Sequence, residues 1–159
     1  MYPAIRTQGG FTLLELIVVL AISAVVVTMG TLSFSGYFQR DSARRAAQVF
    51  AQDLVSARAY AVRSQESVVV RFYESTLWYE VVAPESSTSI SRRRFGPTGD
   101  IELSGVALDM SGDSLVFDVR GMADLSGLGG SLGTARFSSG ATTYTVSFNG
   151  MGASKIDRT

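Results

Sequence analysis

A single acidic side chain stands inside the most apolar stretch of the chain. Glu15 lies within residues 11–29, FTLLELIVVLAISAVVVTM, a run otherwise almost free of charge. A carboxylate at the centre of a membrane helix costs roughly 2.5–3.5 kcal/mol, so it calls for a cationic partner or a helix end close to the headgroups. Arg92–Arg93–Arg94 is the one basic run. It could hold phosphate. Phe95 is the only aromatic beside it in sequence, and Asp100 and Glu102 follow closely. The run therefore reads as a solvated, partly paired strand edge. Asp109, Asp113, Asp118 and Asp124 could offer oxygens to calcium, but the EF-hand spacing is absent. Residues 127–133, GLGGSLG, have the look of a nucleotide loop. They lack GK[ST], Leu132 stands where G-x-G-x-x-G needs glycine, and a flexible loop between strands is expected instead.

Two absences narrow the chemistry further. The chain has no cysteine and no histidine. That removes disulfides, thiolate metal sites, cysteine nucleophiles and every Ser-His-Asp arrangement. No catalytic residue, no metal site and no cofactor is expected. Fourteen basic and fourteen acidic side chains give a net charge of zero, so no global field draws the chain to nucleic acid.

The elements that must position Glu15 follow from patterning. With 159 residues the chain holds one ordinary domain. Mean hydropathy is +0.21, and residues 11–29 account for all of that excess. That run would span roughly 28 Å as a helix, close to the hydrocarbon thickness of a bilayer. An ordinary secretory signal is the rival reading, weakened by the length of the run and by Glu15 within it. Beyond it, Ala43, Ala47, Phe50, Leu54, Ala57 and Ala61 recur at spacings of four and three, one apolar stripe of a helix. Residues 12–64 read as one long helix of about 80 Å, loosened at Gly30 and Gly36. After residue 66, β-rich runs at 68–73 and 77–82 form a hairpin across Glu74–Thr76, Pro84–Ser91 is a serine-rich loop, and strands are expected at 101–108, 115–119, 134–139 and 142–149. Helix first and strands afterwards predicts an α+β fold, the helix packed on an antiparallel β-sheet domain.

Residues 9–20, GGFTLLELIVVL, resemble the class III signal of type IV pilins and type II secretion pseudopilins. The resemblance implies cleavage by the prepilin peptidase between Gly10 and Phe11, methylation of the new amino terminus at Phe11, and a salt bridge from Glu15 to the Phe11 amino group of a neighbouring subunit. Residues 57–65, the Phe117–Asp118–Val119–Arg120–Gly121 turn and Val146–Ser147–Phe148–Asn149–Gly150 look like the minor pseudopilin H and FimT-like group. Val119 replaces that group's proline. Leu32 stands in the region where many relatives carry a proline in the helix, and the disulfide of many major pilins is impossible here. The G-R-x-R motif of DNA-binding relatives is replaced by Gly150–Met151–Gly152–Ala153, so nucleic acid is not expected as a partner.

The resemblance implies a type IV pilin-like division. Residues 1–10 would be a leader, 11–32 a transmembrane and assembly helix, 33–66 its amphipathic second half and 67–159 the β-domain. The expected function is that of a minor pseudopilin of the type II secretion system, with a minor type IV pilin of pilus initiation or DNA uptake as the alternative. Implied partners are other pilin or pseudopilin subunits, the prepilin peptidase, inner-membrane lipid before assembly and the inner-membrane assembly platform. The implied location is the bacterial inner membrane, single-pass, with the C-terminal domain periplasmic. Basic residues near the run point the other way: Arg6 precedes it, while Arg40, Arg44 and Arg45 follow.

Overall fold

The chain enters its helix at Thr12, whose Oγ1 accepts the Glu15 backbone N–H at 3.2 Å. The T-x-x-E spacing thus forms half of a capping box, which satisfies a donor that would otherwise lack a partner at the helix start. Helix α1 runs Leu13–Ser64. The computed structural model describes residues 11–159 except Pro97, Glu102, Ser104, 110–113 and 126–131, and gives no side chains for 30–39 or 105–109. Leader residues 1–10, with Gly10, therefore lie outside the described residues. The chain forms two compact units, Met1–Gly36 and Tyr37–Thr159.

In the first unit every residue from Phe11 to Met29 is exposed. Among the described residues no helix is long and apolar enough to cross a membrane.

In the second unit the α1 stripe is the core of the fold. Ala43, Ala46, Ala47, Phe50, Leu54, Ala57 and Ala61 are all fully buried, while Arg44, Arg45, Gln48, Gln52 and Arg63 are exposed. The alanines make this face small, and Phe50 fills the centre. Its ring packs 5.5 Å from Phe72, 5.4 Å from Tyr79, 5.4 Å from Phe137 and 6.2 Å from Phe148.

Those four partners come from two sheets rather than one. The first has the order β3-β2-β1-β5, with β1 Val68–Tyr73, β2 Trp78–Ala83, β3 Thr88–Arg94 and β5 Ser114–Phe117. The second has the order β4-β6-β7-β8, with β4 Gly105–Asp109, β6 Leu132–Ser139, β7 Thr142–Asn149 and β8 Ser154–Arg158. All pairings within the named strands are antiparallel.

Several strand expectations need correction. The serine-rich loop shrinks to 84–87, because Thr88–Arg94 pairs with β2 through a bulge. Its serines mask the strand in sequence. Strand β4 starts at Gly105, and Ile101 makes only an isolated bridge to Phe95. Strand β5 stops at Phe117, where Asp118 begins a turn. Strand β8 carries little hydrophobic signal, since it is an exposed edge. Gly133 belongs to β6 rather than to a loop: a Cβ there would collide with the Phe148 ring. Residues 127–131 lie outside the described residues.

Candidate functional site

Phe11 is 83% exposed, and with the run that follows it makes thirteen large apolar side chains left uncovered, among them Leu14 at 73% and Val27 at 64%. At about 1.5–3 kcal/mol for each fully buried side chain, covering them is worth on the order of 20 kcal/mol. That exceeds the net stability of about 5–15 kcal/mol typical of a domain, so this segment requires an apolar environment. Glu15 stands at the third helical position, exposed, with its backbone N–H on Thr12. A carboxylate in the first turn also interacts favourably with the positive end of the helix dipole. Phe11 lies four residues before Glu15, at the entry to the same helix.

Three carboxylate clusters of the second unit each have a local structural reason. Asp53 is the one acid on the buried face of α1, 7% exposed. Its Oδ2 accepts the Tyr79 hydroxyl at 2.8 Å, the Ser91 hydroxyl at 2.9 Å and Arg93 Nε at 3.1 Å, and its Oδ1 accepts Arg93 Nη2 at 3.4 Å. This ties the helix to β2 and β3. Burial first, and then the charge of Asp53, pushes the Tyr79 hydroxyl far above its ordinary range. The hydrogen bond to Asp53 raises Arg93. A carboxylate already holding these donors is a poor general base for the serine beside it. The cluster fastens elements together.

Glu80, 7% exposed, plays the same part on the opposite face of the first sheet. It accepts the Tyr73 hydroxyl at 3.1 Å and Arg92 Nη2 at 3.2 Å, with Arg71 Nη1 at 3.8 Å. Tyr73 stacks on Trp78 at 4.1 Å, and the Arg92 guanidinium lies over the Trp78 ring at 5.2 Å. The third cluster is the 118–122 turn. Asp118 Oδ1 accepts the N–H groups of Arg120 and Met122, and Oδ2 accepts Arg120 Nε. The Met122 N–H is the main cause holding its carboxyl below the usual range. Gly121 takes φ +74, and a Cβ there would press on Arg58 and Val62 at 2.8 Å.

The basic run is therefore a strand edge, with different partners from those its sequence neighbours suggest. Arg92 meets Glu80, Arg93 meets Asp53, and Asp100 instead accepts the Arg94 backbone N–H at 3.4 Å. Phe95 is buried in the core, while Tyr73 and Trp78, invisible as neighbours in sequence, flank the arginines. Among the described residues no group of three or more acids could hold a metal ion. Asp118 spends its oxygens on its own turn, and Asp113 lies outside the described residues. Asp53 and Glu80 could have been suspected in sequence from their place on otherwise apolar faces.

Comparison with known proteins adds the following. The family model of the prokaryotic N-terminal methylation motif matches residues 5–31. The model of type II transport protein GspH matches residues 46–152, more than half of the chain. No curated protein matches the chain. Among solved structures, the type IV minor pilin FimU of Pseudomonas aeruginosa is similar at 14% identity and a TM-score of 0.56, over 76% of this chain and 92% of that one. The likeness supports the fold: an N-terminal helix packed on antiparallel sheets.

Proposed function

Since the chain belongs to the family of type II transport protein GspH, we propose that it is a minor pseudopilin of the type II secretion system. In this reading it is a structural subunit of the pseudopilus that helps move proteins across the outer membrane. The coarser assignment, a minor pseudopilin or pilin, follows from the two family models together. The observation that carries the proposal is the all-round exposure of Phe11–Met29. A helix apolar on every face is stable in lipid or inside a bundle of like helices, and not in water. Cleavage after Gly10 by the prepilin peptidase frees the Phe11 amino group, which is then methylated. The processed chain waits in the inner membrane with its β-unit in the periplasm. At the assembly platform the segment passes from lipid to neighbouring helices. Glu15 then meets the Phe11 ammonium of an adjacent subunit, which offsets the cost of an apolar-phase carboxylate.

The likeness to a type IV minor pilin supports the second reading, a subunit of pilus initiation. Deleting the gene separates the two. Loss of secreted enzymes from the medium with normal piliation supports the pseudopilin. Normal secretion with lost pili or lost DNA uptake overturns it.

A further inference from the structure

Strand β3 ends the first sheet, pairing with β2 alone. Its outer edge offers backbone N–H and C=O groups to any extended chain laid beside it. Among the described residues the edge is closed at its end, where the Asp100 N–H donates to the Arg94 carbonyl at 2.9 Å. Two clefts straddle this edge. One, of about 260 Å³, is lined by Arg92, Arg94, Thr98, Gly99 and Asp100. The other, of about 410 Å³, lies against α1, is lined by Arg45, Gln48, Val49, Gln52, Arg93 and Ile101, and shares Asp100 with the first. Alternation along β3 sends Arg92 and Arg94 to one face and Arg93 to the other, so an added strand would meet guanidiniums on both faces.

The carboxylates that balance two of these arginines stand behind them. The side chains of Glu80 and Asp53 are 10% and 9% exposed, whereas those of Arg92 and Arg93 are 58% and 41% exposed. Arg45, at 69%, is paired with Asp41. No carboxylate among the described residues pairs with the Arg94 guanidinium. Among the described residues the edge thus presents more cations than acids, with Asp100 the one carboxylate lining the clefts. Like charges would oppose pairing of two β3 edges from two copies of this chain. Opposite charges select an acidic strand.

We infer that the β3 edge is a docking site for an extended, acidic segment of a partner protein, which adds to the first sheet as a further strand. A nucleic acid fits less well. Trp78 already has Tyr73 stacked on it from β1 and Arg92 over it from β3, so it offers no ready platform for bases.

The test uses the full chain in detergent micelles and a fluorescent decapeptide of alternating valine and glutamate. Anisotropy should report binding. The same peptide N-methylated at alternate residues keeps its charge and cannot pair as a strand; it should bind at least about tenfold more weakly, as should the glutamate peptide on the Arg45→Glu, Arg94→Glu double variant. Both side chains are exposed, so the variant should keep its fold, and the N-methylated peptide tests the unaltered protein in any case. Amide exchange at Arg92 should slow when the peptide binds. Equal binding of the N-methylated peptide, of a lysine counterpart or by the double variant overturns the proposal. So does absence of binding, or displacement of the peptide by equimolar single-stranded oligothymidylate.

Discussion

Glu15 carries a double duty at the residue scale. Its backbone N–H is taken up by the Thr12 hydroxyl that caps the helix, and its exposed carboxylate has no ion-pair partner among the described residues. Glu15→Ala should leave cleavage at Gly10–Phe11 intact and lower incorporation into filaments. Crosslinking of assembled subunits and the mature N-terminal sequence would read the two separately, and normal incorporation would refute the salt bridge. Asp53 is decisive for the second unit. Asp53→Ala would strand Arg93, Tyr79 and Ser91, and should cost about 2–4 kcal/mol by denaturant titration. Tyr79 adds a pH signature. The fold holds its proton more tightly than the unfolded chain, whose tyrosines titrate near pH 10. Its contribution to stability is therefore complete below about pH 10 and falls as pH rises beyond it. Tyr79→Phe should flatten that alkaline loss in a series of melting temperatures. An unchanged slope would show that the loss arises elsewhere.

Helix α1 and its two sheets meet at Phe50, so the element scale turns on that ring. Phe50→Ala removes contacts with both sheets at once and should cost about 3–5 kcal/mol. By contrast Val55→Ala, on the exposed side of the same helix, should lie within about 0.5 kcal/mol. A chemical denaturation series on the two variants checks the difference. Strands β6 and β7 close against each other because Gly133 leaves room for the Phe148 ring. Gly133→Val should destabilise the sheet although valine is a better strand former. A stability gain would mean that Phe148 can rotate away at little cost.

At the scale of the whole molecule, the two compact units have opposite needs. The second unit buries a contiguous core of its own, and a chain restricted to residues 37–159 should keep a cooperative thermal transition. Loss of that transition would show that the apolar segment contributes to the fold. The described side chains of the first unit are all exposed, so its apolar run calls for a cover from its surroundings. Sequencing of the mature chain should begin at methylated Phe11. A start after Gly30 would point to an ordinary secretory signal. A periplasm-dependent reporter fused to the C-terminus should be active, despite the excess of arginine after the apolar run.

Sequence by itself determined what is local or periodic. The N-terminal methylation motif was legible as a short contiguous pattern, and the α1 stripe and the 68–83 hairpin because helix and strand periods place apolar residues at fixed spacings. The tertiary structure decided what depends on long-range pairing. Serine and arginine hid β3, whose core-side polar residues are satisfied by Asp53 from forty residues away. The exposed edge β8 buries too little apolar surface to announce itself. The division of the strands into two sheets also waited for the fold, since Phe50 joins them only once residues from 72 to 148 converge on it. So did the partners of the arginine run: charge in a chain has no direction until strands place a carboxylate beside it.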